Sequence, residues 1–363
     1  MPHVLGRDDD ASDKTDEDAL TGHLGTYRAR DGSSGAEVHL DLDGPHVGLV
    51  VGKRGYGKSY TLGVLAEELA RAEGVAPVVA DPMGIFGSLA DLGTEVASRP
   101  RVPADALGPR AWCDLLGLAS DSPAGALVWQ AAAARSSLAG MREFVADADT
   151  KADRATRRAA DNHLGLAQSW GVFSPEGLTA EELLVSQVDA GTSAGTVLDL
   201  SGLDAEPANA VVRAVASGLY DHCVRSGSNS SEARPDPLPW LLLDEAHAFF
   251  SGVASPALRT LLTRGRQPGV SLVAATQRPS ALPPVAISQA DLLLAHRLTS
   301  RADLDALAEA RPTYLASSFE ERLPAAPGEV LLVDDATESV HAVRVRERET
   351  AHGGDSPSAN DRR

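Results

Sequence analysis

An α/β fold is predicted here, a parallel-sheet core interrupted by a helical insertion. Residues 46–80 read as strand, loop, helix, strand, the opening of a parallel sheet. Continuous apolar strands, the kind buried on both faces, return after residue 195. Between them, residues 104–189 are dominated by Ala, Leu, Arg and Asp and carry helical stretches.

The elements follow in order. Residues 1–22 are rich in Asp, Ser, Thr and Gly without periodicity and are expected to form a disordered acidic tail. Residues 36–42 alternate through Val38, Leu40 and Leu42 as a short strand. Residues 46–51 form a buried strand, and residues 59–72 place Leu62, Leu65 and Leu69 at helical spacing. Residues 75–80 make the next strand, ending at Asp81 and Pro82. Inside the insertion, Thr179 and Glu182 form a capping box ahead of Leu183 and Leu184. A strand at 195–200, a helix at 207–224 and a Ser/Asn/Gly/Pro loop at 225–236 come next. Strands are expected at 238–243, 270–275 and 291–295, a helix at 300–310, and a hairpin-like pair at 329–333 and 340–345. Residues 23–103 and 190–350 thus make the core, residues 104–189 the insertion, and residues 351–363 a second disordered tail.

Composition narrows the function. A chain of 363 residues accommodates two domains, or one large domain with an insertion. Its hydrophobic content of 43% is that of a soluble globular protein. No apolar run is long enough to cross a bilayer, and the acidic N-terminus is not a secretory signal, so a cytoplasmic protein without membrane partners is expected. Cys113 and Cys223 support neither a disulfide framework nor a zinc site. Net charge is −18, and lysine occurs only at Lys14, Lys53, Lys58 and Lys151. This balance resembles that of salt-in halophiles, haloarchaea especially; the alternative is an ordinary acidic protein. A global basic footprint for DNA is absent, so any DNA contact must be local.

Gly52, Lys53, Arg54, Gly55, Tyr56, Gly57, Lys58 and Ser59 fit GxxxxGK[ST], after a strand and opening a helix that continues through Tyr60. The glycines let backbone N–H groups form an anion nest, and the helix N-terminus adds positive charge. Lys58 is expected on the β/γ-phosphates of ATP and Ser59 on Mg²⁺. Residues 238–243 are followed by Asp244 and Glu245, two carboxylates at the carboxyl edge of a parallel sheet, where ligands bind. Asp244 suits the Mg²⁺ shell and Glu245 the deprotonation of water. His247 reads as a structural or partner-sensing residue rather than a metal ligand. If the strand ending at Thr276 and Gln277 lies between those of the P-loop and Asp244, either residue faces the γ-phosphate as a sensor. Arg264 and Arg266 lie in a turn-rich segment and are candidates for an arginine finger or for solvated surface. Lys151, Arg154, Arg157 and Arg158 form the densest basic cluster, with 151, 154 and 158 on one expected helix face. They read either as phosphate-backbone contacts or as arginines paired with Asp147, Asp149, Asp153 and Asp161.

Taken together, the P-loop segment 45–68, the stretch Leu242-Leu-Asp-Glu-Ala-His, the segment 264–280, residues 291–298 and the closing His352-Gly-Gly resemble the HerA/FtsK superfamily of DNA-pumping ATPases, HerA in particular. The resemblance runs from about Gly25 to Gly354. It implies a RecA-like core of the additional-strand type and a hexameric ring. It also implies Glu245 as base, Gln277 as sensor, Arg264 or Arg266 as a finger reaching a neighbouring subunit, double-stranded DNA as substrate, and a nuclease partner. HerA proteins carry an N-terminal β-barrel tied to nuclease partnering and ring assembly. The segment before Gly52 is short, so a full barrel is not expected. Two readings stand: a DNA translocase or helicase-like pump, and a nucleotide-dependent switch or assembly ATPase that moves no DNA. A metabolite kinase is disfavoured by Glu245 and by the size of the insertion.

Overall fold

The computed structural model describes residues 3–7, 20–29, 32–184, 195–228, 236–309 and 319–354. Among the described residues three strands precede the strand that leads into the P-loop: β1 (His3–Leu5), β2 (Thr21–Arg28) and β3 (Ser34–Asp41). Next come β4 (Val47–Val51), α1 (Lys58–Arg71), β5 (Val75–Asp81) and β6 (Glu95–Ala97). The helical segment holds α2 (Pro109–Leu115), α3 (Pro123–Ala134), α4 (Leu138–Ala146), α5 (Arg154–Ser169) and α6 (Ala180–Leu184). The chain continues through β7 (Thr196–Asp199), α7 (Ala205–Ser228), β8 (Leu238–Leu243), α8 (His247–Phe250), α9 (Ser255–Arg264) and β9 (Ser271–Thr276). It closes with α10 (Pro284–Ser288), β10 (Leu292–Ala295), α11 (Arg301–Glu309), α12 (Phe319–Arg322), β11 (Glu329–Asp334) and β12 (Ser339–Val345).

Among the described residues these strands form one sheet, ordered β1-β3-β2-β12-β11-β10-β4-β9-β8-β5-β7-β6. From β10 to β6 every pairing is parallel. β10, β11, β12, β2 and β3 pair antiparallel in turn. β9 therefore lies between β4 and β8, the order on which the sensor reading depended. Its register sets Val51 beside Thr276, and Leu243 beside Ala274, so three strands leave the sheet at one edge.

Both faces are covered. On β4, Val47, Leu49 and Val51 join the core beneath α7 and α9, while Val50 faces α1 and Leu62, Leu65 and Leu69. β8 divides in the same way, with Leu241 and Leu243 on one side and Trp240 and Leu242 on the other. A period of two inside an unbroken apolar run marks a strand buried on both faces. The helical segment enters between β6 and β7, and its buried residues Trp112, Met141 and Leu164 belong to the same cluster as α7. α3, α4 and α5 start at capping side chains: Ser122 accepts from Gly125 N–H, Ser137 from Gly140 N–H, and Asp153 from Thr156 N–H. The capping box of α6 forms, Thr179 Oγ1 accepting from Glu182 N–H at 3.3 Å while Thr179 N–H donates to Glu182 Oε2 at 2.9 Å.

Three expectations are corrected. Within the expected N-terminal tail, His3–Leu5 is a strand paired with β3, and Leu5 is fully buried; residues 8–19 lie outside the described residues. Within the expected C-terminal tail, residues 351–354 are packed, Ala351 O accepting from Ser88 Oγ at 2.5 Å; residues 355–363 lie outside the described residues. Lys151 is not on a helix with Arg154 and Arg158, because Asp153 caps α5 and the helix begins after it. The strands β2 and β6 were not anticipated either.

One buried charge joins the added strands to the core. His46 Nδ1 meets Asp291 Oδ2 at 3.0 Å and His46 Nε2 meets Asp41 Oδ2 at 3.9 Å. Burial alone would lower the His46 pKa. The hydrogen bond to Asp291 and the charges of Asp291 and Asp41 outweigh it and raise the value to about 9. A raised folded-state pKa contributes stability that is complete below the ordinary value of 6.5 and is lost as pH rises through about 9. The denaturation midpoint is therefore expected to fall between those two values. His46→Gln should flatten that fall and cost on the order of 3 kcal/mol at pH 6. Urea titrations of both proteins across that range measure it, and parallel pH profiles would contradict the assignment.

Candidate nucleotide site

The site is built where β4, β8, β9 and β5 end. After Val51 the chain turns through Gly52, where an added Cβ would lie 2.5 Å from His296 Cβ, so a side chain has no room. Gly55 and Gly57 hold φ of 80° and 108°, left-handed values that cost glycine little. Lys53 N–H donates to Arg297 O at 2.8 Å and Gly328 N–H to Tyr56 O at 3.3 Å, so the loop is pinned to the segments after β10 and before β11. Lys53 Nζ lies 4.4 Å over the Tyr56 ring. α1 begins at Lys58, its first N–H groups directed at the loop's interior.

Lys58 is buried, its Nζ 3.4 Å from Lys53 O. Burial lowers its pKa, opposed by the charges of Glu245 and Asp244. Ser59 Oγ donates to Asp244 Oδ2 at 2.8 Å, linking residues 185 apart in sequence. Asp244 is 1% exposed. Burial raises its pKa and Glu245 adds to the rise, against Ser59, the Glu245 N–H and Lys58. Glu245 itself sits at φ 47°, a strained value for a non-glycine residue and one met at functional sites. Its Oε2 is buried without a hydrogen-bond partner, His247 Nδ1 standing off at 3.4 Å. Burial lowers the His247 pKa, with Arg278 and Lys58 adding to the shift, and its Nδ1 also lies 3.3 Å from Thr276 Oγ1.

Two residues near this centre escaped the sequence reading. Asp81 ends β5 and is buried. Burial raises its pKa and Asp244 adds to this, while N–H groups of Phe86, Met83 and Gly84 oppose. The strand-end rule that selected Asp244 applies to Asp81 equally. His296, at the exit of β10, is buried behind the loop with Nε2 3.0 Å from Thr61 Oγ1. Burial, with Lys58 nearby, lowers its pKa to about 4, so it is neutral. It lies in the stretch 291–298 that carries the family resemblance, but its sequence context assigns it no role.

A cleft of about 490 Å³ opens over the centre, lined by Arg54, Gly55, Gly57, Lys58, Ser59 and Tyr60, by Asp244 and Glu245, and by residues from three further segments. Two acids, Asp244 and Glu245, thus face the buried Lys58, and Asp81 adds its charge beside Asp244. A nest of N–H groups fits phosphate oxygens. The carboxylate excess, the Ser59–Asp244 pair and the orphaned Glu245 oxygen fit a hard divalent cation with its water.

Not every expected site residue is brought here. Gln277 follows β9 at the correct edge and is half-buried, whereas the Thr276 hydroxyl is engaged by His247 and accepts from Arg278 N–H at 3.0 Å. Arg264 ends α9 and Arg266 follows it, both exposed at the amino end of β9. That is the opposite edge of the sheet, roughly 17 Å away along the strand. Neither arginine reaches the cleft of its own chain. Among the described residues, Arg154 and Arg158 are exposed and make no ion pair, while Asp161 is taken by Arg142 at 2.8 Å. Arg157 Nη1 donates to Asp147 O at 3.1 Å. The expected pairing of the basic cluster with its neighbouring acids is therefore not found for Arg154 and Arg158.

The family model "Helicase HerA, central domain" matches residues 23–217, more than half of the chain, spanning the P-loop and the helical segment and ending before β8. No curated protein matches the sequence. Among solved structures, VirB4 of Thermoanaerobacter pseudethanolicus is similar with a TM-score of 0.65 at 15% identity, over 90% of this chain and 97% of that one. The pCW3 conjugation coupling protein TcpA gives a TM-score of 0.47 at 11% identity, over 96% of this chain and 71% of that one. The genome packaging NTPase B204 of Sulfolobus turreted icosahedral virus 2 gives 0.42 at 12% identity, over 82% and 96%. The likeness to VirB4 is one of fold. By the family match, this protein belongs to the HerA central-domain family of P-loop ATPases.

Proposed function

We propose that this chain is the ATP-hydrolysing subunit of a hexameric motor that moves double-stranded DNA. The observation that carries the catalytic part is the meeting of the P-loop with the β8 carboxylates, Ser59 Oγ on Asp244 Oδ2 at 2.8 Å beside a buried, unpartnered Glu245 oxygen. The backbone from Gly52 to Tyr60 cradles the phosphates, Lys58 reaches the β/γ oxygens, and Ser59 and Asp244 hold Mg²⁺. A magnesium ion held by Ser59 and Asp244 would supply positive charge against the phosphates. Glu245, held by its left-handed backbone and set beside a neutral His247, takes the proton of the attacking water. Gln277 lies one residue beyond β9 and orients that water.

Arg264 and Arg266 are at the far edge of the sheet, so a finger role requires another subunit's cleft, and a ring supplies one. DNA faces a chain of net charge −18. Contact must then be short-range, and the exposed, unpaired Arg154 and Arg158 at the start of α5, with Lys151 just before it, are the outward basic patch that suits it. A nuclease partner is the finer expectation that the HerA resemblance adds. The acidic balance favours the second reading, a nucleotide-dependent switch that moves no DNA.

Lys58→Ala is expected to lose ATP binding. Glu245→Gln should keep binding while turnover falls roughly a hundredfold or more, the scale for loss of a general base. Near-normal turnover in Glu245→Gln would refute its role. Mixing an Arg264→Ala/Arg266→Ala double mutant with Glu245→Gln protein should restore part of the lost activity, since an intact base and an intact finger meet at mixed interfaces. Light scattering that finds an active monomer in ATP and magnesium would exclude the trans finger. Duplex DNA should stimulate phosphate release several-fold across a potassium chloride series, and Arg154→Glu/Arg158→Glu should lower that stimulation. No DNA effect at any salt where ATP is turned over would leave the switch as the correct reading.

A further inference from the structure

The chain after β12 does not leave the molecule. Residues 346–354 run along α1 as a strap and end at the nucleotide cleft. Its anchor is Glu67, fully buried in the middle of α1. Glu67 meets Arg346 Nη1 at 2.8 Å and Arg348 Nε at 3.4 Å. It also accepts from the N–H groups of Glu349 at 3.1 Å and Thr350 at 2.9 Å, and from Thr350 Oγ1 at 2.6 Å. A buried carboxylate saturated in this way defines one path for the strap rather than several.

Beyond the anchor the strap spans to the other wall of the cleft. Arg348 N–H donates to the Tyr60 hydroxyl at 2.6 Å, and the Arg348 guanidinium lies 5.8 Å over the Phe86 ring. Ser88 Oγ donates to Ala351 O at 2.5 Å. At Gly353 an added Cβ would lie 3.3 Å from Ile85 Cα, so the backbone lies flush on the loop after β5. These contacts deliver the His352 ring edge-on to Tyr60, with centroids 5.3 Å apart at 73°. Tyr60 directly follows Ser59, and Tyr60, Met83, Ile85, His352 and Gly354 line the same cleft as the phosphate nest.

From this juxtaposition we propose that the strap forms the nucleobase subsite, with the base of a nucleoside triphosphate lying against the His352 ring between the Tyr60 side and the Ile85–Met83 wall. The proposal rests on the ATP-binding reading of the P-loop and deepens it. The phosphate end of the cleft offers N–H groups and Lys58, which hold anions. The strap end offers π-face, thioether and aliphatic surface, which suit a flat heteroaromatic ring and not a phosphate. The subsite is built from residues about 290 positions apart, joined through α1, so the helix that opens on the phosphates also holds the strap against the base.

The test compares ATP with inorganic tripolyphosphate, which has the charges and lacks the base, by calorimetric titration of the full chain. His352→Ala should weaken ATP roughly tenfold, within the range of base–aromatic stacking, and shrink the ATP-to-tripolyphosphate affinity ratio by the same factor. His352→Phe keeps a ring and should restore most of the ratio. Unchanged ATP affinity in His352→Ala overturns the proposal, as does a parallel loss of both ligands, which would mark the strap as a support for α1 alone. Lys58→Ala separates the two readings. It should lose both ligands, and a Lys58→Ala protein that binds both normally refutes the P-loop reading rather than the base subsite.

Discussion

Three carboxylates, Asp81, Asp244 and Glu245, are gathered at one sheet edge, the last two against the buried Lys58, and the rest of the site follows from how that charge is held. A buried carboxylate is costly unless it is paired or hydrogen-bonded. Asp81 is met by the N–H groups of Met83 and Phe86, and Asp244 by Ser59 and the Glu245 N–H. Glu245 Oε2 is left without a hydrogen-bond partner. Burial still raises the pKa values of Asp81 and Asp244, so compensation by protein groups is incomplete. The arrangement would be stabilised by added positive charge, which a divalent cation held beside Asp244 would bring.

The fold supplies this convergence through direction and order. Parallel pairing of β4, β9, β8 and β5 sends every strand exit to one edge. α1 then does two things with one element. Its first turn presents Lys58 and Ser59, and two turns on, Glu67 and Glu68 bind the C-terminal strap and the N-terminal strands. Glu68 accepts from His23 N–H at 2.8 Å and meets Arg346 at 2.6 Å. Displacement of either terminal segment is therefore felt at the helix that opens on the phosphates.

Much of this was legible because the signals are local. The P-loop is contiguous and lies between a strand and a helix, and β8 announces its end with two acids. The sensor strand could be named, but its place between β4 and β8 is a matter of pairing. Other parts are invisible to local rules. β2 reads Thr-Gly-His-Leu-Gly-Thr-Tyr-Arg, and its glycines suggest a break, yet Gly25 is where Arg344 O crosses too closely for any side chain. β1 has three residues, too few for a period. Residues 351–354 look like a polar tail because their anchor, Glu67, lies 283 positions away from Thr350. The arginines at 264 and 266 were recognisable as a motif. Which edge of the sheet they occupy depends on the direction of β9, and that excludes their own cleft. The acidic composition, by contrast, says little about the site, where the burial of a few groups decides the electrostatics.

In the proposed function, Ser59 and Asp244 form a magnesium site facing Glu245 across the γ-phosphate. A crystal structure with magnesium and a non-hydrolysable ATP analogue tests it most directly. The expected result is a magnesium ion held by Ser59 Oγ and near Asp244, with an ordered water between the γ-phosphate and Glu245. A nucleotide bound with its phosphates away from the P-loop, or a metal held without either Ser59 or Asp244, would contradict it.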